Sequence, residues 1–283
     1  MLITGCNLLF TLRDTGPLTT RAFDFTDFNA VDVGSAFAVD ISRSDTYSVE
    51  ITTQEDLFKD VRVIRVGNTL KISLNWPSVF FGAQTLEARI TMPELTGLEL
   101  SGATKGKVRG FKSDRDLVAR ISGASTLDLD VETGDFTGEI SGSSEVTARI
   151  KSTGTDIELS GASSITLDAE TGDFVFESSG ASDATGSVKA SSATIHLTGA
   201  SEMKLTGSGG DLKLNGSGAS EARLAGFSIS NADIALSGAS RADVDAGGRL
   251  DVSLSGASEL RYGGNPTLGD RMDITGGSRF EHR

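Results

Sequence analysis

Proline is scarce, and it is missing from most of the chain. The four prolines are Pro17, Pro77, Pro93 and Pro266, so the stretch from Glu94 to Asn265 contains none. Proline cannot donate a backbone hydrogen bond, so its absence leaves this stretch open to strand pairing on both sides. Cysteine is rarer still. Cys6 is the only one, which excludes a disulfide framework and a cysteine zinc cluster. Histidine is limited to His196 and His282, so neither a Ser-His-Asp nor a Cys-His arrangement has obvious material. His196 lies between Ile195 and Leu197, which places it on the outward side of a strand as a solvated residue. Aromatic residues make up 6% of the chain, with one tryptophan and two tyrosines, few platforms for stacking sugars. Positive charge is short as well, with Lys+Arg 26 against Asp+Glu 39 and a net charge of -13. Such a surface repels phosphate backbones and anionic leaflets, so nucleic acid is excluded as an expected partner. No apolar run is long enough to span a bilayer.

Glycine is abundant, at 34 residues. Glycine enrichment without proline points to a folded, turn-rich chain. Many of these glycines sit in words of the form [ST]-G-[AG]-[ST], with one SGSS. The words begin at Ser101, Ser122, Ser141, Ser160, Ser179, Thr198, Ser217, Ser237, Ser255 and Thr275, 18 to 21 residues apart. A fixed period of this length marks a stacked repeat whose units bury their apolar faces against their neighbours.

Within a unit the apolar residues alternate. Counting the first Ser or Thr of each word as zero, offsets five and seven carry Leu127 and Leu129, Val146 and Ala148, Ile165 and Leu167, and later Leu260 and Tyr262. Offsets sixteen and eighteen carry Ile157 and Leu159, then Ile195 and Leu197. Period two is the mark of half-buried strands, so each unit reads as strand, corner, strand, corner. The SGAS word suits one corner and the TGD at Thr133–Asp135 and Thr171–Asp173 the other, because glycine reaches backbone conformations closed to other residues. About 60 Å of chain per unit makes one coil, and ten coils stacked at about 4.8 Å make a rod of about 48 Å.

The expected fold is all-β: a right-handed parallel β-helix, or β-solenoid, of ~19-residue SGAS-type repeats over residues 101–283. Asn-Gly or Asp-Gly turns do not recur from unit to unit as a hairpin meander would require. Propeller blades need about twice this period, and left-handed hexapeptide helices a strict six-residue one.

Residues 25–100 read as a β-rich N-terminal section, continuous with the solenoid and capping its first coil. Alternation in Val31, Val33, Phe37, Val39 and Ile41 is followed by Tyr47, Val49 and Ile51. A helical turn is expected at Glu55–Asp60 and strands at Val61–Val66, Thr69–Leu74 and Leu86–Met92, with a hairpin turn at Gly67-Asn68. Trp76, Phe80 and Phe81 are a candidate contact patch, or alternatively a plug over the first coil. At the far end Arg279, Glu281, His282 and Arg283 either blunt the last strand edge or rim a contact with a second copy, a homo-oligomer through the C-terminal coil.

Residues 1–24 read as a lipoprotein signal remnant and a polar tether running through Thr20. Ile3-Thr4-Gly5-Cys6 resembles a bacterial lipobox, in which the cysteine receives diacylglyceryl. Only five residues precede Cys6, so the charged and apolar parts of the leader are expected upstream or trimmed away. Cys6 is thus the candidate lipidation site, and the membrane is contacted through this anchor alone.

No cofactor, catalytic or metal site is expected. The acidic residues Asp128, Asp130, Glu132 and Asp135 cluster along the chain, and Glu170 and Asp173 are expected to stack near Glu132 and Asp135. They read as a solvated acidic face, with a polysaccharide lyase or hydrolase as the enzymatic alternative and calcium as the other.

The segments FTDFNAVDVGSAFAVDI at Phe25–Ile41, GNTLKISL at Gly67–Leu74, ARITMPELTGLELSGAT at Ala88–Thr104 and SGASELRYGGNP at Ser255–Pro266, with TGGS at Thr275–Ser278 and the recurring SGAS words, resemble the autotransporter adhesin head GIN domain family. That resemblance covers nearly everything after the tether. It implies a secreted or lipid-anchored bacterial β-helix protein without catalytic residues, a cell-envelope adhesin or scaffold facing the periplasm or standing at the outer membrane, whose ligand is an unknown surface or envelope component.

Overall fold

The structure is a computed structural model that describes residues 16–75 and 84–283. Its organising element is the column of SGAS corners. The glycine of every word, from Gly102 to Gly276, adopts φ between +71° and +79°, a region that side chains with a Cβ rarely enter. The third residue donates its N–H to the glycine carbonyl one coil earlier, as in Ala124 to Gly102 and Ala162 to Gly142, both 2.8 Å. In every word but the last the fourth is buried, and in most its hydroxyl donates to the carbonyl of the word's first residue: Ser125 to Ser122 at 2.8 Å, Ser163 to Ser160 at 2.9 Å. The corner thus hydrogen-bonds to its neighbours as a strand does, and Ser or Thr at the fourth position satisfies a carbonyl that the bend would orphan.

These corners join two faces of parallel strands. The first nine strands are β1 (Leu18–Phe23), β2 (Ala30–Val33), β3 (Ala38–Arg43), β4 (Ser48–Gln54), β5 (Val61–Val66), β6 (Thr69–Leu74), β7 (Leu86–Met92), β8 (Gly97–Leu100) and β9 (Lys105–Lys112). Nine more follow in the regular coils: β10 (Leu117–Ile121), β11 (Thr126–Glu132), β12 (Asp135–Ile140), β13 (Glu145–Lys151), β14 (Gly154–Leu159), β15 (Ser164–Glu170), β16 (Asp173–Ser178), β17 (Asp183–Lys189) and β18 (Ser192–Leu197). The chain closes with β19 (Glu202–Gly216), β20 (Glu221–Leu236), β21 (Arg241–Ala246), β22 (Arg249–Leu254), β23 (Glu259–Gly263), β24 (Thr267–Ile274) and β25 (Arg279–His282).

In the regular coils each strand pairs in parallel with the equivalent strand one coil away. β8, β10, β12, β14, β16 and β18 build the first face, and β9, β11, β13, β15 and β17 the second. The long strands β19 and β20 pass through the opposite corner without a break, so each contributes to both faces. This is the parallel solenoid that the repeat spacing predicts.

At the N-terminal end β2 and β3 form the first coil, turning at Ser35 and Ala36, which hold φ of 66° and 65° without being glycine. The chain then moves outward before it resumes stacking. β6 and β7 pair beyond β2 and β3, and the antiparallel strands β5, β4 and β1 lie outside them. The 3-10 turn at Glu55–Leu57 and the hairpin through Gly67 stand where the sequence places them. The tether is shorter than the sequence suggests, since β1 begins at Leu18. Its residues LTTRAF carry little apolar alternation because β1 is an edge strand, largely exposed and paired among the described strands with β4 alone.

Inward columns fill the space between the faces. Leu127, Leu129, Val146, Ala148, Ile165, Leu167, Ile157, Leu159, Ile195 and Leu197 are all buried, and Tyr262 is half-buried. Large and small core residues alternate along β16, where Phe174 and Phe176 are followed by the small Ser178, whose buried hydroxyl has no partner among the described residues. On β12, the ring of Phe136 fills the space a Cβ at Gly138 would need. Cys6, Trp76, Phe80 and Phe81 lie outside the described residues.

Candidate functional site: the two outward faces

Outward side chains stack coil on coil at the strand spacing, so the residues that meet are about 19 apart in sequence. On the second face one column runs Glu50, Arg89, Asp40, Lys107, Asp128. The next runs Arg109, Asp130, Arg149, Asp168. A third, beside the opposite corner, runs Lys112, Glu132, Lys151, Glu170, Lys189. All three alternate in sign. Arg149 lies between Asp130 and Asp168 at 3.5 and 3.6 Å, and Lys112 meets Glu132 at 2.5 Å. These exposed pairs contribute little stability singly, but their register makes the face a lattice of both charges.

This geometry corrects the acidic cluster read along the chain. Asp128, Asp130 and Glu132 each face a cation from a neighbouring coil: Lys107, Arg149 and Lys112. Glu132 and Glu170 do not meet, because Lys151 occupies the coil between them, and Gly154 likewise separates Asp135 from Asp173. The hydrogen bond from Lys112 holds the Glu132 carboxyl below the usual carboxylate range, the direction opposite to that needed by a general acid in sugar chemistry.

A stack of acids that sequence reasoning missed lies on the first face. Glu139, Glu158 and Glu177 stack in consecutive coils, followed by His196 and Asn215. Arg120 clamps Glu139 with two bonds of 3.0 Å, and Asn215 meets His196 Nδ1 at 3.2 Å. Glu158 and Glu177 are exposed with like charges opposed, an unfavourable pairing. Beside them, burial and then the Glu177 charge push the Asp156 carboxyl above its ordinary value. The signal was present at offset seventeen, which is Glu, Glu, Glu and His in four successive repeats. His196 points outward, as its neighbours predict, but it is half-buried rather than fully solvated.

A shallow open groove of about 510 Å³ lies near the cap on the second face, floored by Ala38, Ala88 and Gly106 and walled by Asp40, Arg89 and Lys107. Its small floor residues make it a dip in the lattice.

Comparison with known proteins places these features in a family. The family described as "Putative auto-transporter adhesin, head GIN domain" matches residues 27–169 and 152–266. The chain belongs to this family. Among solved structures, a "putative lipid binding protein" from Parabacteroides distasonis is 15% identical to this head GIN domain chain. The match covers 95% of this chain and 97% of that one, at a TM-score of 0.53. A "putative adhesin" from the same species is 19% identical, covering 94% and 97%, at a TM-score of 0.52. At these identities the likeness is one of fold. No curated protein matches the chain. Among the described residues no helix is long and apolar enough to cross a membrane.

Proposed function

We propose that the chain is a non-enzymatic, adhesin-like protein of the cell envelope, anchored by a lipid on Cys6, that binds through the flat outer faces of its β-helix. The observation that carries this reading is the pair of laddered faces. Polar and charged side chains repeat at the coil spacing along the rod, so contact energy is spread over a broad rigid surface. Rigid stacked strands present that surface with little ordering cost on binding. Membership in an adhesin-described family supports the same reading. The net charge of -13 favours partners that are cationic or neutral and rich in hydroxyls over anionic ones.

The test compares cells expressing the full upstream reading frame with cells carrying Cys6→Ala. The wild-type chain is expected to gain the mass of a diacylglyceryl group, enter the detergent phase and retain cells under flow on a channel coated with a neutral polysaccharide. The variant should stay in the aqueous phase, with retention reduced several-fold. Equal partitioning of the two chains rejects the anchor, and equal retention of expressing and non-expressing cells rejects the adhesive role.

A further inference from the structure

The rod ends differ in construction. The first coil is covered by β6, β7 and three antiparallel strands, whereas β25 pairs with β23 alone among the described strands. Gly277, Arg279 and Arg283 donate their N–H groups to Gly256, Ser258 and Tyr262 of the preceding coil, at 2.7, 2.9 and 2.9 Å. The pleat therefore turns the N–H and C=O of Ser278, Phe280 and His282 toward the open edge. An edge of this kind is a template for another strand.

The sequence of β25 matches itself. A two-fold axis normal to the face and passing through Phe280 sets the strand antiparallel to its own copy. Phe280 then exchanges both backbone bonds with its counterpart and Ser278 does so with His282, about six bonds in all. The same axis sets Arg279 opposite Glu281 of the second copy twice over. Both side chains are exposed, and Glu281 is held only by a long 3.9 Å contact with Arg261 of its own chain, so Arg279 of the second copy can reach it. Moving the axis one residue, to Glu281, would oppose two glutamates instead, so charge selects the register.

The core residues at this end also lack a cover. Leu268 and Ile274 are 47% and 42% exposed, while Tyr262, Met272 and Phe280 are only half-buried, with Phe280 stacked on Tyr262 at 4.7 Å. An axis normal to both faces brings these residues against the same residues of the second copy, as an isologous contact requires. On the other face β24 is irregular, its register jumping between Leu250 and Val252, so β25 carries the ladder.

We propose that two copies of this chain join C-terminal coil to C-terminal coil through antiparallel β25 strands, with Arg279 paired to Glu281 across the two-fold axis. The capped ends then point in opposite directions. If Cys6 is lipidated, a consequence that rests on the function proposed above, the two anchors stand at opposite ends of a double-length rod. Pairing would therefore join chains held on facing surfaces, beside any partner bound on the outer faces.

Sedimentation of the full chain at physiological ionic strength is expected to give twice 29.4 kDa. Arg279→Glu and Glu281→Arg each oppose like charges at two places and should weaken association by about tenfold or more. Mixing these two variants should restore the dimer, because each supplies the charge that the other lacks. Circular dichroism checks that both variants fold. A monomeric wild type, a head-to-tail filament, or a dimer unaffected by either substitution would overturn the proposal. Phosphatidylcholine vesicles displaying the chain through an N-terminal histidine tag on a nickel-chelating lipid test the opposed orientation without using Cys6. Wild-type vesicles should cluster, and vesicles carrying the two variants should cluster only when mixed. A solution dimer without clustering rejects the bridging arrangement whatever happens at Cys6.

Discussion

Replacing Gly161 with alanine is expected to destabilise the protein by about 2–4 kcal/mol, one of the largest effects a single methyl group can have here. Gly161 holds φ +78°, which costs a residue bearing a Cβ about 1–2 kcal/mol. The added Cβ would also lie 2.5 Å from the carbonyl oxygen of Gly142 and 3.1 Å from its nitrogen. Backbone atoms cannot swing aside, so the corner must open. That strains the 2.8 Å bond from Ala162 to Gly142 and the matching 2.8 Å bond from Ala181 to Gly161. The neighbouring Ala162→Ser is the control, since Ser143 already occupies the same position in another word. It should stay within about 0.5 kcal/mol of wild type. Urea unfolding followed by far-ultraviolet circular dichroism measures both variants, and equal midpoints for Gly161→Ala and Ala162→Ser would refute the steric account.

Phe176→Ala is expected to cost about 3–5 kcal/mol, the range for removing a buried ring from a core that relaxes only in part. Phe176 is 1% exposed, and its ring centroid lies 6.1 Å from that of Phe174. The coil compensates for these two rings with Ser178, whose register neighbours are Leu159 and Leu197. Adding Ser178→Leu to Phe176→Ala should therefore recover part of the loss, because the new side chain enters the freed volume and an unpartnered buried hydroxyl is removed. The two substitutions are close enough to couple. A loss under about 1 kcal/mol for Phe176→Ala alone would mean that the columns do not pack as described.

Features within one repeat were legible in the sequence, and those between repeats were less so. Strands β5, β6 and β7 fall on the expected residues, because period-two alternation and the turn at Gly67 are local. The corner word was legible for the same reason: its glycine, hydroxyls and spacing are all set within four residues. The order of the cap strands was not, since nothing local says that β6 and β7 lie outside β2 and β3. Asn215-Gly216, a dipeptide suited to hairpins, lies inside β19 with its neighbours paired above and below. The outward charges show the limit most clearly. Read along the chain, Asp128, Asp130 and Glu132 look like an acidic cluster. Read across coils, they alternate with Lys107, Arg149 and Lys112. The uncompensated acids, Glu158 and Glu177, required comparison of one offset in successive repeats.

A modular rod whose faces are assembled coil by coil should survive the loss of one whole coil, residues 160–178, a deletion that joins Leu159 to Ser179 in phase. Because each coil contacts only its neighbours, the shortened chain should keep its β spectrum and cooperative unfolding. Small-angle scattering should show a rod about 4.8 Å shorter. Deletion of residues 160–169 alone should unfold the chain by throwing every later strand onto the wrong face. If the whole-coil deletion unfolds the chain as completely as the half-coil deletion does, the coils are not independent layers and the account fails.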